Sequence, residues 1–152
     1  MEFNSEKDIA ARAERMLTNG LRAKTSGFAS HVRNTPKDKS LKDAVGVAKL
    51  KTYGSAAGGT KTYMTTLSIK MAKHGFIQHH GVDNQRNGGS RTRKKPKDTT
   101  YNFSAHYFKM PEKPFINAAI NQSNVIPFVM ENLVRFRSEE LLFEVRRIIE
   151  HT

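Results

Sequence analysis

Histidines are the side chains in this sequence best suited to metal or acid–base chemistry. His74, His79 and His80 lie close together, and His106 follows in a later segment. A metal-dependent nuclease would combine His79-His80 with Asn102 and His106 as a histidine–asparagine–histidine site. Such a site needs several ligands that converge on one point, usually with carboxylates behind them. The spacing is loose and acidic neighbours are few, so ordinary surface or hydrogen-bonded histidines are the favoured interpretation, and no metal ligand is assigned.

A glycine-rich stretch is the second candidate for chemistry. Gly54, Gly58 and Gly59 with Lys61-Thr62 faintly resemble a phosphate-binding loop. The Walker spacing fails because the residue after Gly59 is not lysine, and because a strand rather than a helix is predicted next. A turn is therefore the better interpretation. No serine lies in a glycine-flanked nucleophile elbow and the chain has no cysteine, so we predict neither an enzyme nor a cofactor.

Positive charge is the strongest compositional signal. The chain has 26 lysines and arginines against 14 acidic residues, a net charge of +12, which bears on partners and not on fold. A polar stretch over 83–100, made mobile by Gly88-Gly89-Ser90, carries six of the basic side chains: Arg86, Arg91, Arg93, Lys94, Lys95 and Lys97. It could order against another protein, bind phosphates or stay solvated. No aromatic residue is interleaved with these charges, so base stacking is not predicted.

The overall composition fits one domain, residues 1–152, with a modest core. Apolar residues make up 37% of the chain and its mean hydropathy is −0.63, which is low for a compact core but too high for full disorder. The absence of cysteine excludes a disulfide scaffold and a thiolate metal site. The first residues lack the pattern of a signal peptide, and no apolar run is long enough to span a bilayer.

The first half of the chain contains the clearest helix and the clearest strand. Ser5 is a predicted N-cap for an amphipathic helix over 6–23, because apolar residues recur there at helical spacing. Residues 25–39 are predicted to be a flexible loop. A short helix with a weak apolar side is predicted from Ser40 to Ala48. Strict alternation then predicts a strand over 62–71.

The middle of the chain contributes a second strand. Residues 101–107 alternate between aromatic or small and polar side chains, and we expect this strand to pair antiparallel with 62–71 around the loop over 83–100. Gly75–Val82 fits either a short helix or a strand. A pair of strands alone is marginal, so at least one helix should cover its apolar face.

A rigid corner follows, from Met110 to Ala119. Pro111 ends the preceding strand, and Pro114 suits the first turn of a new helix in which Phe115 begins the apolar side. Ser123 or Asn124 is a predicted cap for a C-terminal helical segment over 123–150, with a bend allowed near Arg137. Its apolar side fits the core or, beyond Phe136, a contact between subunits: Phe128, Val129, Leu133, Phe136, Leu141, Val145, Ile148 and Ile149.

Two of these pieces carry a family resemblance. Gly75-Phe76-Ile77-Gln78-His79-His80-Gly81 and the Met-Pro-x-x-Pro-Phe-x-x-x-Ala turn at Met110–Ala119 resemble the head–tail connection (tail-completion) proteins of long-tailed bacteriophages. The resemblance implies a structural virion protein, assembled in the host cytoplasm, that forms a homo-oligomeric ring at the phage neck or tail end. It implies connector and tail-tube proteins as partners and contact with packaged DNA, and it favours a protein contact for the basic loop.

The sequence therefore predicts an α+β fold, in which a small antiparallel sheet packs against an N-terminal helix and C-terminal helices. The favoured function is structural, as a ring component joining a capsid connector to a tail, with no enzymatic activity and no membrane partner. The alternative is a nucleic-acid-binding module that uses the basic 83–100 loop. The net charge of +12 is the observation that suggests this alternative.

Overall fold

A computed structural model of the chain describes residues 3–28, 40–55, 59–94 and 96–150. It confirms the α+β class, with four α-helices and small antiparallel sheets. The sequence predicted one domain over residues 1–152, and within the chain the structure has two compact units. Unit 1 comprises Met1–Ala72 and Phe115–Thr152, and unit 2 comprises Lys73–Pro114.

The N-terminal helix α1 (Glu6–Thr25) is the centre of unit 1 and confirms the helix predicted from Ser5. The Ser5 Oγ accepts a hydrogen bond of 3.3 Å from the Asp8 N–H, which satisfies one of the free amide donors of the first turn. The apolar side of α1 is buried at Ile9, Ala10, Ala13, Leu17 and Leu21. The loop predicted over 25–39 begins one residue later than expected, and residues 29–39 lie outside the described chain.

Strand β1 (Val45–Ser55) replaces most of the helix predicted from Ser40 to Ala48. Only a 3-10 turn, Leu41–Asp43, is helical, and Ser40 caps it. The β-branched residues at 45 and 47 favour an extended chain. Gly46 also lets the strand lie directly on α1, because a Cβ placed there would be 2.9 Å from the Leu17 Cβ.

Strand β2 (Gly59–Lys70) confirms the strand predicted by alternation, but the predicted partner is wrong. It pairs antiparallel with β1, from Val45 opposite Lys70 to Ser55 opposite Gly59, with a register shift between Lys49 and Leu50. Because β1 lies close to β2 in sequence, pairing these two strands closes a shorter loop than pairing β2 with residues 101–107. The β1–β2 hairpin therefore costs less conformational entropy of the chain.

Helices α3 (Phe115–Ser123) and α4 (Val125–Glu150) complete unit 1. The helix predicted after the proline corner is confirmed, with Phe115, Ile116 and Ala119 buried. The predicted break is confirmed at Asn124, whose φ of 51° is left-handed and ends α3. No separate helix starts near Arg137, because α4 continues through that residue.

A glycine also positions α3 on the core. A Cβ at Gly20 would lie 2.8 Å from the Ala119 backbone oxygen, so the missing side chain allows α1 and α3 to pack closely. The buried core joins α1, β2, α3 and α4 through Ala10, Ala13, Leu17, Leu21, Ala44, Met64, Ala119 and Val125. None of the helices within the described ranges is long and apolar enough to cross a membrane.

Unit 2 corrects the loop predicted over 83–100. After the short helix α2 (Lys73–His80), which resolves the ambiguous segment as helical, the chain forms a long β-hairpin. Its base pairs β3 (Val82–Arg86) with β6 (His106–Met110), and its outer part pairs β4 (Gly89–Arg93) with β5 (Thr99–Phe103). The strand predicted over 101–107 is thus two strands, interrupted at Ser104 and Ala105.

A left-handed glycine starts the hairpin. Gly81 has a φ of +71°, and a Cβ there would lie 2.7 Å from the Met110 backbone oxygen. The β3–β6 and β4–β5 ladders have the same register, although the hydrogen bonding between them is interrupted. The last pair of the first ladder is Arg86 opposite His106, and the first pair of the second, three residues further along each strand, is Gly89 opposite Phe103. Polar strands exposed on both faces show no apolar alternation, which is why this segment was predicted to be a loop.

Candidate interaction surfaces

The histidines considered as metal ligands lie in unit 2. His79 and His80 are neighbours on α2, with ring centroids 4.7 Å apart in an edge-to-face contact. His106 starts β6, and its Nδ1 lies 3.3 Å from the Ser104 backbone oxygen. Among the described residues, no group of three or more histidines or acidic side chains is placed to hold a metal ion. These contacts give the histidines ordinary ring and hydrogen-bonding roles.

The lysine of the glycine-rich stretch is held by carboxylates. Lys61 lies on β2, and its Nζ is 2.6 Å from Glu140 and 3.3 Å from Glu144, both on α4. Hydrogen bonds to Glu140 and Glu144 raise the pKa of Lys61. Strand β2 carries this lysine and begins three residues before the predicted strand over 62–71, so the stretch does not form the strand–loop–helix arrangement of a phosphate-binding loop.

A buried ionic cluster in unit 1 was not found by sequence reasoning, which placed Glu6 only at the start of the predicted helix over 6–23. The side chain of Glu6 is fully buried, and Arg137 binds both of its oxygens, Nε to Oε1 at 2.7 Å and Nη2 to Oε2 at 3.1 Å. The Met64 N–H donates to Glu6 Oε2 at 2.5 Å. Burial raises the pKa of Glu6, but the Arg137 and Met64 hydrogen bonds and the Arg137 charge outweigh it and leave that pKa lowered.

This cluster connects the start of α1, the middle of β2 and the middle of α4. A carboxylate held by a bidentate arginine and a backbone amide is fully satisfied, which makes the cluster a structural clamp. Arg137 also donates to the Met64 backbone oxygen at 3.3 Å. The partners are 131 residues apart in sequence, and no local pattern could have indicated the pair.

The first exposed surface lies on α4. Phe128, Val129 and Leu133 pack against the core, as the predicted apolar side requires. Other large apolar residues recur four or seven positions apart and face solvent; we call them the α4 apolar side: Ile126, Met130, Val134, Leu141, Val145 and Ile149. Leu141 is 66% exposed and Ile149 68%. The side chain of Ile148 lies outside the description.

The α4 apolar side begins in a groove. Eight apolar residues from α1, β2, α3 and α4 line a groove of about 240 Å³: Leu17, Leu67, Ile69, Ile120, Val125, Ile126, Val129 and Met130. Ile126 and Met130 belong both to the groove and to the α4 apolar side. Leu141, Val145 and Ile149 lie further along the helix, away from the groove. Unit 1 therefore has an apolar groove and, separately, an apolar helix end.

The second exposed surface is the outer hairpin of unit 2, where the structure places most of the predicted basic residues. Arg91 and Arg93 lie on β4, Lys94 and Lys97 lie between β4 and β5, and all four are exposed. Lys95 lies outside the described residues. Arg86 is nearer the base on β3, with its guanidinium 4.3 Å from the Phe108 ring centroid.

Strand pairing places aromatic residues beside these charges, although none is interleaved with them in the sequence. Arg91 is paired with Tyr101 and Gly89 with Phe103. Cross-strand partners and residues two apart share a face of a ribbon. The arginines and aromatics therefore share one side, which we call the hairpin face: Arg91, Arg93, Tyr101 and Phe103. The aromatics follow about ten residues after the arginines in sequence, so only strand pairing brings them together.

Among the described residues these two surfaces stand out, since one exposes apolar side chains and the other concentrates positive charge. His79, His80, His106 and Lys61 have local contacts that account for them. No protein-family model matches the chain, and neither a curated protein nor a solved structure matches it.

Proposed function

We propose that this protein is a structural component of a phage virion, which self-assembles into a ring at the neck or tail end and joins the capsid connector to the tail. Its partners would be other copies of itself, the connector and tail-tube proteins, and packaged DNA within the ring. The proposal includes no covalent chemistry and no cofactor. The observation that carries it is the α4 apolar side, because a helix face of this kind favours contact with another subunit.

The exposed apolar area is the first support. Soluble monomers rarely expose large contiguous apolar patches, and those that do mark sites of association. Each large side chain on the α4 apolar side is half or more exposed. Burying a Leu, Val or Ile side chain fully is worth about 1.5–3 kcal/mol, so several such residues supply the free energy of a contact between subunits.

The position of the groove is the second support. A contact between different patches on two identical subunits is heterologous, and it gives a ring where the rotation between subunits closes and a filament where it does not. If the end of α4 from one copy, with Leu141 and Val145, fills the groove at Met130 of the next, every copy has one donor and one acceptor surface. This geometry favours a ring over a symmetric dimer.

The charge distribution is the third support. Helix α4 carries five glutamates and four arginines, so its own charge is nearly balanced. The net charge of +12 lies elsewhere in the chain. Copies that meet through α4 therefore do not bring the most basic parts of the chain together at the contact.

The proline corner is the fourth support. The resemblance to head–tail connection proteins depends on the Met110–Ala119 turn leading into a closing helix, and α3 begins at Phe115 as that pattern requires. The resemblance supplies the virion setting, whereas α4 supplies the physical reason for assembly.

The test begins with the mass of the purified protein, by size-exclusion chromatography with light scattering, and with electron microscopy for annular particles. We expect an oligomer and rings, because the α4 apolar side is unsatisfied in a single copy. Leu141→Glu with Val145→Glu should give monomers with unchanged circular dichroism, since both residues are exposed. Arg146→Glu, exposed beside Val145, is the matched control and should leave the oligomer intact. A strict monomer at high protein concentration contradicts the proposal.

Engineered thiols sharpen the test, because the chain has no cysteine of its own. Mixing Met130→Cys protein with Val145→Cys protein should give a disulfide-linked dimer on oxidation. Within one chain the two positions lie on the same helix, roughly 20 Å apart at 1.5 Å per residue, which is too far for a disulfide. Glu139→Cys is the control for random collision. Equal cross-linking of Glu139→Cys and Val145→Cys would refute the head-to-tail contact.

A further inference from the structure

We infer that the hairpin face binds single-stranded nucleic acid, with Tyr101 and Phe103 stacking on bases and Arg91 and Arg93 contacting phosphates. This inference concerns unit 2 and is independent of the proposed ring, whose assembly depends on α4. It assigns a defined ligand class and defined residues to the basic stretch.

The aromatic pair is the first part of the case. Tyr101 is 47% exposed and Phe103 39% exposed, although both are large enough to contribute to a core. Their ring centroids are 6.5 Å apart on the same side of β5. Phe103 reaches across to Gly89, where a Cβ would lie 3.5 Å from its Cζ. That distance is ordinary van der Waals contact, and the exposure of both rings leaves two neighbouring aromatic surfaces open to a ligand.

The arginines are the second part. Arg91 lies directly opposite Tyr101, and Arg93 lies two residues further toward the turn on the same face. Among the described residues, neither arginine forms an ion pair. The stretch from Asn84 to Lys97 contains no acidic residue. An anionic ligand would therefore meet uncompensated positive charge beside the rings.

The opposite side of the ribbon shows how selective this arrangement is. It carries Ser90, Thr92, Thr100 and Asn102, all exposed. The hydroxyls of Thr92 and Thr100 lie 2.9 Å apart and bond to each other. That side has neither charge nor an aromatic ring, so the strand alternation places all the binding chemistry on one face.

Single-stranded nucleic acid fits this face better than an acidic protein does. Neither β4 nor β5 contains an aliphatic residue that would form the dry centre of a protein interface. Single strands present phosphates and unstacked bases together, and proteins bind them with basic grooves and aromatic platforms. A duplex keeps its bases stacked inside and leaves the two rings without a partner.

The experiment measures binding of fluorescein-labelled oligothymidylate to the full-length protein by anisotropy over a series of salt concentrations. Tyr101→Ala and Phe103→Ala should each weaken binding about fivefold to a hundredfold, the usual contribution of one stacked base. Arg91→Ala with Arg93→Ala should make the affinity less sensitive to salt, with a log–log slope shallower by about 0.7 for each phosphate that the protein no longer neutralises.

Three matched variants separate stacking from other effects. Tyr101→Phe keeps the ring and should bind as the unchanged protein does. Asn102→Ala alters the opposite side of the same strand and should have no effect. Tyr53→Ala removes another exposed aromatic residue, in unit 1, where Lys51 lies 4.8 Å from its ring centroid, and it too should bind normally.

Several results would overturn the inference. Unchanged affinity of Tyr101→Ala and Phe103→Ala would remove the stacking role, and full competition by duplex DNA of equal length would reduce the site to phosphate binding. Competition by polyglutamate as strong as that by oligothymidylate would assign the surface to acidic proteins. None of these outcomes alters the mass of the oligomer, so failure here is distinguishable from failure of the proposed ring.

Discussion

The α4 apolar side and the hairpin face differ in the properties that determine which partner a surface binds. The first exposes aliphatic residues on a helix with nearly balanced charge. The second has no aliphatic residue on its two strands and is strongly basic. One chain thus has two exposed surfaces that differ in charge and in apolar content. Its net charge of +12 cannot be treated as a uniform property of the molecule.

Salt should act on the two surfaces in opposite directions. Apolar contacts are strengthened by sulfate and other excluded salts, because these favour burial. Phosphate contacts weaken steeply as salt rises, because binding releases counterions from the nucleic acid. Oligomer mass and nucleic-acid affinity, measured across the same salt series, therefore report on the two surfaces separately.

The largest expected effect comes from the clamp that anchors α4. Arg137→Met leaves the buried Glu6 carboxylate without its bidentate partner and should lower the free energy of unfolding by about 2–3 kcal/mol. This loss is at the low end for a buried ion pair, because the side chain of Arg137 is 45% exposed. Urea denaturation measures this. Arg135→Met, which breaks only the exposed pair with Glu139 at 3.6 Å, should cost no more than about 0.5 kcal/mol. Equal destabilisation of the two variants would contradict the role of the clamp.

The next effect should be confined to unit 2. Gly81→Ala places a side chain at φ +71° and against the Met110 backbone, which should cost about 2 kcal/mol in that unit. Hydrogen exchange should become faster in β3 and β6 but not in α1. Gly27→Ala is the control, since a Cβ there meets nothing within 4 Å. Faster exchange throughout unit 1 would show that the two units do not unfold separately.

A smaller effect should appear on acidification. The pKa of Glu6 is lowered in the folded protein, so its contribution to stability is present above the pKa of an unfolded glutamate, about 4.3, and is lost as pH falls through the folded value. Unfolding midpoints of the unchanged protein and Glu6→Gln, measured from neutral to acidic pH, should converge as pH falls below the pKa of an unfolded glutamate and through the lowered pKa of the folded protein. A constant difference down to the lowest pH would refute this linkage.

The smallest effect is expected at Lys61. Its ion pairs with Glu140 and Glu144 lie at the surface, where such pairs contribute little to global stability. Lys61→Met should leave the urea midpoint unchanged while amide exchange becomes faster near Glu144 on α4. Hydrogen exchange resolved along the helix checks this. A clear loss of global stability would show that the end of α4 is part of the cooperative core.

Local signals in the sequence predicted the elements whose determinants are close together. Ser5 and the helical spacing after it predicted α1, and the prolines at 111 and 114 predicted the start of α3. The hairpin of unit 2 was missed because its strands are exposed on both faces and show no apolar alternation. Likewise, the partner of β2 and the Glu6–Arg137 pair depend on tertiary arrangement.

The candidate surfaces divide in the same way. The apolar residues of α4 and the basic residues of the 83–100 stretch were visible as composition. The sequence left open whether the apolar residues beyond Phe136 join the core or contact another subunit, because helical periodicity does not say which apolar residues exceed the available core. The alignment of Arg91 with Tyr101 required the register of a hairpin that the sequence did not predict.

The common register of the two ladders in unit 2 limits how the length of this arm can change. Side chains alternate sides at every step along a strand. Deleting one residue from β4 alone would turn its arginines away from the rings of β5. Deleting one opposed pair near Gly88 would keep arginines and rings together but reverse their side relative to the base. Only the insertion or deletion of two opposed pairs keeps the arginines beside the rings and also keeps them on the same side relative to the base of the hairpin. An arm of a different length that retains the hairpin face must therefore differ by multiples of two opposed pairs.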